Sequence, residues 1–168
     1  KLSYGQANHI IDNYRGFFYE APVRKLSPEV VFPSNMTEFT RHGKRYLKDR
    51  GFDPEMIADI YGVQETGAVS SLKVDDNNWD FRYRLIIPII MDREIVTYTG
   101  RDWTNKQDPR YRNAPIEAGT VLTSECVYNL DSVTDRALIV EGPTDVWKLG
   151  AESIATLGVK FSHRQINR

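Results

Sequence analysis

The stretch Ala137–Gly150, ALIVEGPTDVWKLG, decides how this chain is read. Ala137 to Glu141 is an apolar run of the length of a buried strand, and it ends in a glutamate. Gly142 lets the backbone turn. Pro143 suits the first position of a helix, where its missing N–H would have no partner in any case, and Asp145 falls in the first helical turn, where the helix dipole favours negative charge. A second extended run, Ile154 to Leu157, completes a compact βαβ unit, and Ser162-His163-Arg164-Gln165 has the pattern of a capping box that opens another helix. In a parallel α/β layer, ligands gather outside the carboxyl ends of the strands, which is where Glu141 stands. Asp145 has a sufficient role as a helix-start residue. Glu141, directly after Leu138, Ile139 and Val140, costs desolvation unless it is solvated, paired or bound to a cation. Two carboxylates so placed suit Mg²⁺, an ion held by one or two carboxylates together with substrate phosphates and water and used in phosphoryl and nucleotidyl transfer. Taken alone, E-G-x-x-D after a strand is a weak motif.

Working back from this unit, Trp103 to Pro115 (WTNKQDPRYRNAP) is polar and proline-punctuated and reads as a loop with a basic centre. Before it, FRYRLIIPIIM and REIVTYTGRD are β-rich runs separated by Asp92 and Arg93, the pattern of a hairpin. Pro88 cannot donate to a ladder, so the first strand is expected to be at an edge or bulged there. Strand period places Arg82 and Arg84 on one face, with Phe81, Tyr83 and Leu85 on the other. Between Arg82 and Arg112, seven basic residues (Arg82, Arg84, Arg93, Arg101, Lys106, Arg110, Arg112) stand against four acidic ones. Tyr111 between Arg110 and Arg112 has the pattern of an aromatic that stacks on a base while cations meet phosphates; a solvated polar face is the competing reading. VDDNNWD reads as a turn. Further upstream, MTEFTRHGKRYLKDRG predicts a helix with Thr37 as N-cap, a stripe of Phe39, Tyr46 and Leu47, and a basic outer side that reads as a solvated face. A second helix is capped by Asp53, begins at Pro54, buries Ile57, Ile60 and Tyr61 and stops at Gly62.

Composition narrows the classes. The chain has 168 residues, 40% of them hydrophobic and 27% charged, with 22 basic against 23 acidic side chains and a net charge of −1, so any nucleic-acid site has to be a local patch. No apolar run approaches the ~20 residues that cross a bilayer, and the start, KLSYGQANHIIDNY, lacks a secretory apolar segment. A soluble, cytoplasmic protein without a membrane partner is expected. Its first residue is Lys, the pattern of a fragment or a processed chain. One cysteine, Cys126, excludes an internal disulfide framework, and with only His9, His42 and His163 scattered along the chain no zinc site is expected.

The order of these features resembles the catalytic core of the bacterial and phage-type replicative DNA primases (DnaG-like). The resemblance rests on RLIIPI (Arg84 to Ile89), TGR (Thr99 to Arg101), PRYRNAP (Pro109 to Pro115), IVEGPTD (Ile139 to Asp145), ATLG (Ala155 to Gly158) and the upstream helix pair YLKDRGFDPEMI, and covers roughly Tyr46 to Arg168. It implies an α+β chain: a mixed αβ N-terminal primase-core subdomain over residues 1–135, followed over 136–168 by the first βαβ unit of an α/β topoisomerase-primase (Toprim) module. It gives Glu141 a catalytic and metal-side role and Asp145 the accompanying metal position. Arg82, Arg84, Arg101, Lys106, Arg110, Tyr111, Arg112 and Asn113 fall on its nucleic-acid and nucleotide surface. The cofactor implied is Mg²⁺ or Mn²⁺, completed by residues outside this chain. The partners implied are a single-stranded DNA template, ribonucleoside triphosphates and, through the parent protein, a replicative helicase. The activity implied is synthesis of short RNA primers, with this chain inactive alone.

Departures accompany the likeness. Arg110 stands where the family has a lysine, Thr99 where it has a glycine, and Thr123, Ser124 and Glu125 where a further lysine is expected. The family's Asp-x-Asp motif and preceding zinc module have no counterpart. The rival readings are a non-catalytic module binding single-stranded nucleic acid and another Toprim enzyme such as a nuclease.

Overall fold

The computed structural model describes residues 25–26, 30–119, 121–160 and 162–167; the chain start and His9 lie outside them. In chain order they form β1 (Lys25–Leu26), β2 (Met36–Thr37), α1 (Arg41–Asp49), α2 (Pro54–Tyr61), β3 (Gln64–Thr66), β4 (Ser71–Val74), β5 (Asn77–Asp80), β6 (Arg84–Met91), β7 (Glu94–Asp102), β8 (Tyr111–Asn113), β9 (Leu138–Val140), α3 (Pro143–Leu149), β10 (Ser153–Ala155) and α4 (His163–Ile166). This is the mixed α+β class expected.

The helix hairpin forms as its sequence dictates, with one shift. Asp53 Oδ1 accepts from the N–H groups of Glu55 and Met56 at 3.0 and 3.3 Å, Pro54 occupies the first turn, and Gly62 ends α2 in the left-handed region at φ 65°. Helix α1 is capped by Thr40, whose hydroxyl accepts from His42 N–H, and not by Thr37. Both threonines can cap. The choice falls to tertiary pairing, because Met36 and Thr37 are drawn into a ladder with Glu65 and Thr66.

The main sheet runs β1-β7-β6-β3-β2, with β8 added to β7. Alternation along β6 gives it two apolar faces. Leu85, Ile87, Ile89 and Met91 pack with the helices, and Ile86 packs on the reverse side with Leu72, Phe81 and Tyr98. Each such aliphatic side chain, fully buried, contributes roughly 1.5–3 kcal/mol. Pro88 lies beyond the two-residue pairing of β3 with β6 and just before a register shift at Ile89/Ile90, so its missing N–H is accommodated. Asp92 and Arg93 form the hairpin turn, both at positive φ, and the Asp131 carboxylate accepts from both of their N–H groups at 3.1 and 2.7 Å.

Three extended readings are corrected. VDDNNWD is mostly strand, with only Asp75 and Asp76 left as the turn between β4 and β5, because Leu72 and Trp79 gain a cross-strand contact. Strand β6 begins at Arg84, since Tyr83 sits at φ 56° and breaks the alternation that would have put Arg82 and Arg84 together. The basic loop is not irregular throughout: Tyr111–Asn113 pairs with Thr99–Arg101.

The βαβ unit is present, with β9 and β10 parallel. Leu138 and Ile139, however, are each 56% exposed, so β9 is not a buried strand. Among the described residues it pairs with β10 alone, and the buried strand is β10. Helix α3 is anchored by Trp147, which meets Phe52 edge-on at 5.6 Å and donates from Nε1 to the Tyr128 hydroxyl at 2.9 Å. Tyr128 also bridges to Ala155, tying β10 to the rest of the chain.

Candidate functional site

A cleft of about 440 Å³ opens between the main sheet and the βαβ unit. One wall is Arg50, Thr99, Arg101, Arg110, Tyr111 and Asn113; the other is the turn from Glu141 to Asp145, with Leu157 and Gly158 beside it. The cationic wall follows from pairing. Thr99 and Arg101 alternate on β7, Asn113 and Tyr111 lie opposite them on β8, and all four therefore share a face. Arg50, the C-cap of α1, reaches the same wall from above the Tyr46 ring, 5.7 Å from its centroid.

Arg101 is the centre of this wall. Only 3% exposed, its guanidinium lies over the Tyr111 ring at 4.9 Å, donates from Nε to the Tyr46 hydroxyl at 2.8 Å and from Nη1 to the Tyr111 hydroxyl. Burial works against its charge, but the two phenols outweigh it and hold the guanidinium above its ordinary pKa. Among the described residues no carboxylate forms a salt bridge with it. Asn113 is set by Thr99, whose hydroxyl donates to Asn113 Oδ1 at 2.8 Å and so leaves the amide N–H₂ as the free end. On the facing turn Glu141 is exposed and bears no side-chain hydrogen bond among the described residues, while Asp145 Oδ2 accepts from Gly142 N–H at 3.3 Å, the helix-start role. Exposure removes the desolvation cost expected for Glu141.

Of the residues named from sequence, Arg101, Arg110, Tyr111, Asn113, Glu141 and Asp145 meet in the cleft. The others do not. Arg84 is fully buried on the reverse face, where Gly100 clears its path: a Cβ there would lie 3.0 Å from Arg84 Cδ. Its Nη1 and Nη2 donate to the carbonyls of Gly100, Arg110 and Pro109 and to Gln107 Oε1, at 3.0 to 3.3 Å, so it holds the loop from beneath. Burial lowers its pKa. Arg82 is paired with Asp80 at 2.8 Å, and Arg112, opposite Gly100, also faces the reverse side. Lys106 is exposed on a loop wound around the Asp102 carboxylate, which accepts from the N–H groups of Thr104, Lys106 and Gln107 at 2.8 to 3.0 Å. Arg50 was not named from the sequence; the signal for it was the spacing His42, Tyr46, Arg50, which places three side chains in one row along α1.

Solved structures share this arrangement of elements. The chain matches a DnaG primase catalytic domain bound to single-stranded DNA with a TM-score of 0.62 and 23% identity, over 76% of this chain and 50% of that one. It matches the zinc-binding and RNA polymerase domains of Aquifex aeolicus primase at TM-score 0.63 and 21% identity, covering 76% and 40%. The fold is that of a DnaG-like primase catalytic core. A further match to this DnaG-like core is the RNA polymerase domain of Mycobacterium tuberculosis primase DnaG in complex with a double-stranded DNA oligomer carrying a 6-nucleotide overhang, at TM-score 0.60 and 20% identity, covering 76% and 50%. The chain spans about half the length, or less, of these structures. No family model matches the chain, and no curated protein matches it significantly in sequence. Among the described residues, no helix is long and apolar enough to cross a membrane.

Within this DnaG-like fold the cleft sets guanidinium groups against carboxylates, the polarity needed to grip a phosphate on one side and a cation on the other. No group of three or more His, Cys, Asp or Glu side chains converges to hold a metal ion among the described residues. Glu141, exposed and unengaged, and Asp145 fit the lesser requirement of an Mg²⁺ or Mn²⁺ ion that takes its other ligands from phosphate and water.

Proposed function

We propose that this chain is part of a DNA primase, and that its cleft holds single-stranded DNA template and ribonucleoside triphosphate phosphates during synthesis of short RNA primers. The observation that carries this reading is Arg101: a buried guanidinium at the wall of a cleft, held by phenols and lacking a carboxylate counter-charge among the described residues. Such a group is left to bind an anion, and its planar fork suits two phosphate oxygens at once. Arg50 and Arg110 add charge, the Asn113 amide adds a donor, and the Tyr111 ring offers a surface for a base. On the opposite wall Glu141, with Asp145 beside it, holds the divalent ion, which when bound stabilises charge on the reacting phosphate oxygens. With two carboxylates available, the chain binds but does not polymerise by itself. Coupling to a replicative helicase, and a place in the bacterial or host cytoplasm, belong to the parent protein. The division into an N-terminal subdomain and a Toprim start at residue 136 is part of the same proposal.

A non-catalytic single-strand binder is the second reading, favoured by the lack of a third converging acidic side chain among the described residues. Titration of single-stranded DNA against salt tests what both readings share. The log-log slope is expected to be about −0.7 per phosphate contact, flattened by Arg101→Glu with Arg110→Glu and unmoved by Arg82→Glu. An unchanged slope in the double variant defeats the assignment of the cleft. Stimulation of binding of a labelled ribonucleoside triphosphate by Mg²⁺, lost in Glu141→Gln, separates the primase reading from the binder.

A further inference from the structure

The cleft wall does not end at Arg101. Along β7 and just past it, Thr99, Arg101 and Trp103 point to one face in succession; along α1, His42, Tyr46 and Arg50 recur every fourth residue. The two rows lie side by side. Arg50 and Thr99 share the cleft, Tyr46 accepts from Arg101, and His42 lies beside Trp103 with ring centroids 6.5 Å apart and planes within 21°. Tyr83 then meets the indole edge-on at 5.6 Å. From the arginine-lined cleft a strip of aromatic rings therefore runs outward, half-buried at Trp103 and Tyr83 and exposed at His42.

Trp103 and Tyr83 are held in place. Trp103 Nε1 donates to the Thr66 carbonyl, its backbone N–H donates to the Tyr83 carbonyl, and Tyr83 N–H donates to the Gly67 carbonyl, at 3.0 to 3.3 Å. Tyr83 keeps φ 56°, costly for a bulky residue, within this frame. Exposed Arg41 and Arg45 flank His42 on α1, and exposed Lys106 follows Trp103 on the loop, so the strip is edged by cations. Fixed rings edged by positive charge are what a flexible chain of bases and phosphates needs.

We infer that His42, Trp103 and Tyr83 form a base-stacking extension of the cleft, which takes the part of a single-stranded nucleic acid that leaves the Arg101 site. This rests on the proposed binding of nucleic acid in the cleft, and oligonucleotide length separates the two. A thymidine tetranucleotide fills the cleft; a decanucleotide also reaches the strip. In anisotropy titrations, Trp103→Ala and His42→Ala are each expected to weaken the decanucleotide about tenfold and to leave the tetranucleotide unchanged. His42 lies on the exposed side of its helix, so its variant folds even if Trp103→Ala does not. Trp103→Phe is expected to keep the affinity while removing the decanucleotide-induced quenching of tryptophan fluorescence. Unchanged decanucleotide affinity in both alanine variants, or equal weakening at both lengths, overturns the extension. Failure of the unmodified protein to bind either length overturns the cleft reading beneath it.

Discussion

Arg84 and Arg101 lie one strand apart on the same sheet, both buried, and have opposite employments. Arg84, on the reverse face, donates to three backbone carbonyls and an amide, and what it builds is the loop. Arg101, on the cleft face, is held by two tyrosines and keeps its charge uncompensated by any described carboxylate. Burial and residue type are shared; the partners differ. Carbonyl partners turn a cation into scaffold, whereas phenol partners orient it and leave it attractive to an anion.

The largest expected effect separates the two directly. Arg84→Met leaves buried carbonyls without donors and should cost about 3 kcal/mol in denaturant unfolding. Arg101→Met removes a buried charge that no described carboxylate balances, and should change stability by at most about 1 kcal/mol while weakening single-stranded DNA binding at least about tenfold. Equal stability losses would collapse the contrast. A smaller effect tests the loop that Arg84 supports. Burial opposes the charge on Asp102, but the N–H of Gln107, the hydroxyl and N–H of Thr104 and the N–H of Lys106 outweigh it and hold its pKa below the ordinary carboxylate value. Because the folded pKa is the lower one, the stability it contributes is present above the unfolded value of about 4 and is lost as pH falls through the folded value. Denaturation midpoints followed into acid should fall less steeply for Asp102→Asn than for the parent chain. The smallest effect concerns Arg82. Its hydrogen bond to Asp80 holds that carboxyl at about 2 against an ordinary 3.8; in Arg82→Ala, NMR titration should find the Asp80 pKa raised toward its ordinary value, with a stability loss at neutral pH of at most about 1 kcal/mol, the scale of an exposed pair.

The contrast also shows which parts of the molecule are legible in sequence. Local chemistry was readable: the Asp53 cap, Gly62, the Asp92-Arg93 turn and the βαβ spacing each follow from rules spanning a few residues. Six side chains of the cleft were readable too, because strand, loop and turn arrive in a recognisable order. The fate of Arg84 was not. Its side depends on the positive φ of Tyr83, which shifts the start of β6, and its burial depends on the notch left by Gly100 on the neighbouring strand. Neither is a property of its own segment. Arg50 was missed for the converse reason: it ends a helix whose charged side has the pattern of a solvated face, and only the packing of Tyr46 against Arg101 turns that row toward the cleft.

One contact far from the guanidinium groups bears on the gap they face. Trp147 packs edge-on against Phe52 and tilted against Tyr61 and is latched to Tyr128, so the helix that follows the Glu141 turn is tied to the helix hairpin through an aromatic cluster. The cleft is thus braced from behind, as a vice is held by its screw, and trimming that cluster by one ring is expected to change the reach between carboxylate and arginine without touching either.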